Sequence, residues 1–283
     1  MSAHALELRP ELAQPRSTRS APFVLFTGGK GGVGKTTLAA NLAIELAREG
    51  KRVLLVDLDL GLANLDVMLR VSVTRTLEDA LEGRCTLDEC VVATPQGVDL
   101  LASSSGSAAM GRLDDARRVA LLERIEALGR GYDVVLGDSA AGIGPDVLAF
   151  AAAADHVLVV TTPLPAAMTD AYALLKALDA WAGERGLEVP TPELVVNEVD
   201  GLEQAESVAR RLRGVCERFL CRRPRTAGWV PRAATIEQGG LSQRPFVLHD
   251  RASLARHCLR RLAARVGRLL DAGGAGAATG NRA

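Results

Sequence analysis

Residues 28–37 read GGKGGVGKTT, and this stretch holds five glycines and two of the chain's four lysines, while its other thirty basic residues are arginine. Gly29-x4-Gly34-Lys35-Thr36 fits the phosphate-binding pattern G-x-x-x-x-G-K-[ST]. Glycines let the backbone approach closely and aim successive N–H groups at phosphate oxygens. A lysine at position 35 can reach the outer phosphates, and a threonine hydroxyl at position 36 can ligate Mg²⁺. Gly31, Gly32, Val33 and Thr37 complete the cradle around them.

Carboxylates follow at the ends of apolar runs. Asp57 and Asp59 close VLLVDLD, and Asp138 closes VVLGD. In parallel sheets, ligands gather at the carboxyl ends of strands. Any one of these aspartates could be a turn or cap residue. All three, in this order after a phosphate loop, are poorly explained as turn or cap residues. Asn197 lies near the end of LVVNEV and Pro231 ends GWVP, two places where turn residues are also common.

Such residues need rigid elements beneath them. Residues 22–27, 52–59, 132–138, 156–162, 193–199 and 226–231 read as strands. Helical spacing recurs over 36–50, 76–83, 114–130, 165–183, 201–220 and 251–270. The strands are continuous apolar runs, which implies a sheet covered on both faces. Their alternation with helices predicts one α/β domain over 21–271, built on a mostly parallel twisted sheet with flanking helices. Residues 1–20 and 272–283 read as a disordered segment and a flexible tail, because neither shows apolar periodicity. With 48% hydrophobic residues but only 3% aromatic ones, the core must be aliphatic. The first twenty residues lack the basic and apolar regions of a signal peptide. The most apolar later stretch is interrupted by Asp155 and His156. Together these predict a soluble cytoplasmic protein.

Charge is unevenly spread. Residues 205–268 carry fifteen arginines against four carboxylates, a balance of +11 on a chain whose total is +0, so the remainder carries −11. This basic third suits a polyanionic surface, or the solvated faces of helices. In 251–270, Leu254, Cys258, Leu259, Leu262, Val266, Leu269 and Leu270 form an apolar stripe among arginines. The stripe fits a core-closing helix and also a peripheral membrane contact. The five cysteines contain no C-x-x-C pair and read as scattered thiols rather than metal ligands.

Lys30 departs from the ordinary phosphate loop. KGGVGKTT, with its second lysine, resembles the deviant Walker A loop of the MinD/ParA family of ATPases. The resemblance implies a P-loop fold over roughly 22–268, ATP and Mg²⁺ as cofactors, and an ATP-dependent homodimer in which Lys30 contacts the partner's phosphates. It implies that Asp59 positions the attacking water, that Asp57 supports the Mg²⁺ shell, and that Asp138 holds Mg²⁺ through water. Gly142 matches the hinge that senses the terminal phosphate. Asn197 matches the adenine-reading position, and Pro231 a segment that packs on the base. DLGLANLDVML, DSAAGI and RPFVLH resemble the FlhG/FleN branch, which implies control of flagellar placement or number through a flagellar or polar partner. A ParA-like partition ATPase, gripping DNA through the basic third, is the competing reading. Partition members read DxDPQGN where this chain reads DLDLGLAN.

Overall fold

Apolar runs without polar alternation demand cover on both faces, and this chain supplies helices for both. The computed structural model describes residues 21–104, 113–249 and 252–275. The strands are β1 (Phe23–Gly28), β2 (Val53–Leu58), β3 (Val91–Ala93), β4 (Asp99–Leu101), β5 (Val134–Ala141), β6 (His156–Thr161), β7 (Glu193–Val199) and β8 (Thr226–Pro231). They form one sheet in the order β3-β4-β2-β5-β1-β6-β7-β8. Each neighbouring pair is parallel except β3 with β4. The helices are α1 (Lys35–Arg48), α2 (Leu65–Leu69), α3 (Leu77–Leu81), α4 (Asp115–Gly129), α5 (Pro145–Ala153), α6 (Pro165–Glu184), α7 (Leu202–Leu220), α8 (Ala234–Leu241) and α9 (Leu254–Ala275).

Successive side chains of a strand point to opposite faces, and here both sets are buried. Phe23 and Leu25 of β1 join a cluster with Leu121 of α4, Phe150 of α5, Leu174 of α6 and Leu212 of α7. Val24 and Phe26 join the opposite cluster, with Leu42 of α1, Leu65 of α2 and Leu259 of α9. β1 lies near the middle of the sheet, between β5 and β6. The loop that leaves its end is therefore anchored by the best-packed part of the molecule.

The expected strands and helices form, and further elements join them. β3 and β4 are three residues each, too short for any periodicity to appear. α5 begins at Pro145, a favoured first helical residue, and its 147–153 part runs into the apolar stretch that precedes β6, which masks its helical period. α8 carries two glycines, which mask its helical pattern. The 76–83 helix starts as expected: the Thr76 N–H donates to Asp79 Oδ2 at 2.7 Å, half of a capping box.

Of the two readings of the basic closing helix, its packing favours the core-closing one. Ala255, Leu259, Leu262, Ala263 and Val266 are at most 1% exposed, packed among residues of α1 and β8. Arg256 Nε donates to Glu45 Oε1 of α1 at 2.8 Å, and Arg265 Nε to Glu193 Oε2 of β7 at 2.6 Å. Most of the apolar stripe of 251–270 is therefore core and not free to meet a membrane, while Leu254 at its start is 54% exposed. α9 also runs on to Ala275, past the boundary expected at 271. The disorder expected for residues 1–20, and all but the start of the expected tail, lie outside the described residues. Among the described residues, no helix is long and apolar enough to cross a membrane. The fold also brings two cysteines together: Sγ of Cys85 and Sγ of Cys90 lie 3.3 Å apart as thiols, so these two are neighbours rather than scattered.

Candidate functional site

At Gly29 and Gly34 the glycine loop passes through space that admits no side chain, whereas Gly31 and Gly32 face open space. A Cβ on Gly29 would lie 2.0 Å from the Asp170 carbonyl oxygen of α6. Gly34 sits at φ +92°, and a Cβ there would lie 2.3 Å from Asn197 Nδ2 at the end of β7. Asn197 is held at that point because its Nδ2 donates to the Val33 carbonyl at 2.9 Å, a buried bond. The loop then turns directly into α1, whose first N–H groups lack intrahelical partners and carry the positive end of the helix dipole. Lys35, at the first position, is only 7% exposed, whereas Lys30 is exposed at the rim.

The two carboxylates are register partners on adjacent strands, Asp57 of β2 beside Asp138 of β5. Each is 1% exposed. Asp57 is fully engaged: Oδ1 accepts the Asp59 N–H at 3.0 Å, and Oδ2 accepts those of Asn64 and Leu65 at 3.1 and 3.3 Å. It thereby clamps the β2–α2 loop and fixes where half-exposed Asp59 stands. Asp138 differs. The Thr36 hydroxyl donates to it, but its Oδ1 is buried with no hydrogen-bond partner. Burial pushes both carboxyls up to about 7. For Asp138 the charge of Asp57 adds to the rise, while the Thr36 hydroxyl and the Lys35 ammonium oppose it. For Asp57 the three backbone donors oppose it.

A buried carboxylate oxygen without a donor, next to a threonine hydroxyl, is a hard-oxygen set of the kind Mg²⁺ takes together with water. The residues present therefore fit that ion, with Thr36 and Asp138 as its holders. Just past Asp138, the Gly142 N–H donates to the Gly28 carbonyl at 3.0 Å, and Gly142 sits at φ +98°. The β5–α5 loop is thus tied to the start of the glycine loop.

A cavity of about 270 Å³ opens beside the loop, lined by Gly34, Thr37, Asn197, Pro231, Arg232 and Ile236 among others. The fold so gathers the two base-side residues expected from sequence, 34 positions apart, at one place. Arg232, Ile236 and Glu237 of this wall were not foreseen, because they lie just after β8 and on α8, whose packing is a tertiary matter. Ser103 is another such residue: its Oγ donates to the Asp57 carbonyl at 2.6 Å and braces the clamp from β4's side.

Residues 23–185 match the family described as AAA domain. The chain is 36% identical to the antiactivator FleN of Pseudomonas aeruginosa over 82% of its own length and 81% of that protein's. It is 39% identical to the flagellum site-determining protein YlxH of Helicobacter pylori, over 54% of this chain and 52% of that one. Among solved structures, the cell division ATPase MinD of Pyrococcus furiosus superposes with a TM-score of 0.71 at 25% identity, covering 88% of this chain and 99% of that chain. With a two-lysine glycine loop on this sheet and these matches around it, the chain belongs to the MinD/ParA family of P-loop ATPases, on its FlhG/FleN side, with ATP and Mg²⁺ as its cofactors.

Proposed function

We propose that this ATPase is a dimerising switch that controls the number or placement of flagella. The observation that carries the switch is the split between the two loop lysines. Lys35 is buried within the loop and serves its own nucleotide, while Lys30 is exposed at the rim and free to serve another copy's. Three large apolar side chains are exposed on loops that follow the carboxyl ends of β2, β5 and β6: Leu62 at 72%, Ile143 and Leu164. All three strand ends lie on the edge of the sheet that carries the glycine loop, which supports burial of this rim against a second copy. The flagellar part rests on the similarity to FleN and YlxH.

The chemistry assigned to the chain's own groups is phosphoryl transfer to water. Loop N–H groups and Lys35 hold the phosphates, and Lys30 of the partner subunit adds positive charge as the transition state develops. Asp59 orients the attacking water from a loop that Asp57 holds in place. Thr36 and Asp138 hold Mg²⁺, which when bound offsets phosphate charge. Asn197 and Pro231 wall the base. Size-exclusion chromatography with light scattering tests the switch. Asp59→Ala protein should be a dimer with ATP and Mg²⁺ and a monomer with ADP. A monomer in both would overturn it.

A further inference from the structure

β8 ends the sheet, so among the described residues one of its backbone edges has no strand beside it. α7 packs on one face of the sheet and α9 on the other. A groove of about 670 Å³ is lined by residues of α7, β8 and α9 together, which places it along this open edge. Its floor is Thr226, Ala227 and Gly228, small residues that leave the backbone accessible.

Both walls are basic. α7 contributes Arg210 and Arg213, and α9 contributes Arg261, Arg265 and Arg268, with Glu206 the one opposing charge of the lining. Two of these arginines are committed: Arg213 Nε donates to the Pro224 carbonyl at 3.2 Å, and Arg265 pairs with Glu193. Arg210, Arg261 and Arg268 are exposed and, among the described residues, make no hydrogen bond or ion pair. Three free guanidinium groups thus flank an unpaired strand edge from both sides.

We infer that this groove receives an acidic segment of another protein in extended conformation, which adds to β8 as a ninth strand. Such an edge offers unpaired N–H and C=O groups in a row, and strand addition is a standard mode of peptide capture. Side chains of an added strand alternate between the faces of the sheet. Its carboxylates would therefore reach Arg210 on the α7 side and Arg261 and Arg268 on the α9 side in turn. A second copy of this chain is a poor occupant, since like-charged arginines would face each other. The register shift at Ala227, a bulge on an edge strand, also discourages indiscriminate pairing. Single-stranded nucleic acid needs free aromatic platforms for its bases, but Trp229, the lining's aromatic residue, is packed against the core on the α7 side. This inference does not depend on the nucleotide reading, although Pro231 at the far end of the same strand lines the nucleotide cavity.

The test is fluorescence anisotropy on the full chain with a labelled peptide of repeating Glu-Glu-Val-Val, which sets carboxylates on both faces of an added strand. Binding should weaken about tenfold or more in Arg210→Glu/Arg261→Glu protein, as expected when charge-assisted contacts reverse sign. It should stay unchanged in Arg260→Glu, an exposed arginine of α9 outside the groove. N-methylation of alternate peptide bonds, in either register, should abolish it in the register that pairs with β8. Both charge variants alter only exposed residues, and their unfolding temperatures should match the parent's. The proposal is overturned by no binding of the peptide, by equal loss in Arg260→Glu, by insensitivity to N-methylation in both registers, or by an oligothymidine that competes on equal terms.

Discussion

Asp57 and Asp138 have the same residue type, burial and strand position, yet hydrogen bonding divides their roles. Three backbone N–H groups saturate Asp57, while Asp138 keeps an oxygen without a donor. Its carboxyl is raised to about 7, well above its value in an unfolded chain. A raised carboxyl binds its proton more tightly in the folded state. Its contribution to stability is therefore present below about pH 4 and is lost as pH rises through about 7. Asp138→Asn removes that titration. Without nucleotide, the variant's melting temperature relative to the parent's should rise from pH 5 to pH 8, by the equivalent of about 1–4 kcal/mol. The same variant should lose Mg²⁺-dependent ATP hydrolysis. A pH-independent difference in melting between the two proteins would show that Asp138 is ionised throughout. The residue types and their order were legible in sequence. The division of labour was not, because it depends on where the Asn64 and Leu65 amides come to rest.

At the scale of elements, α9 shows how one pattern supports two structures. A basic amphipathic helix has the same periodicity whether its apolar stripe meets a sheet or a lipid surface. The neighbours decide, and here they are α1, β8 and Phe246. Leu262 is 1% exposed and lies over Gly228 of β8, within 3.5 Å of where a Cβ there would stand. Leu262→Ala should destabilise the fold by about 2–5 kcal/mol, read as a lower urea midpoint, without altering sedimentation with anionic vesicles. Unchanged stability with lost vesicle binding would restore the lipid role. Long strands and helices were readable because each repeats its pattern several times. β3, β4 and α8 were not, being short or glycine-bearing segments that exist because the sheet edge and the nucleotide cavity give them something to pack on.

Across the whole molecule, the sheet order separates two surfaces. Carboxyl ends of the central strands carry the glycine loop, exposed Lys30 and exposed Leu62, Ile143 and Leu164. The β8 edge carries three free arginines of the basic third, Arg210, Arg261 and Arg268. If the first surface is the dimer face, Lys30→Ala placed in the Asp59→Ala background should leave ATP binding within about threefold but abolish the ATP dimer, since the lost charge acts across the interface. Persistence of the dimer, measured by light scattering, would remove Lys30 from that role. By itself the amino-acid sequence determined the phosphate loop, the carboxylate order and the covered parallel sheet, because each is written in local spacing and periodicity. Tertiary structure alone decided that Asp138 and not Asp57 keeps a free oxygen, that Asn197 braces Val33 from 164 residues away, and that most of the stripe of α9 is core. Those outcomes turn on which distant groups become neighbours, and no local pattern encodes that.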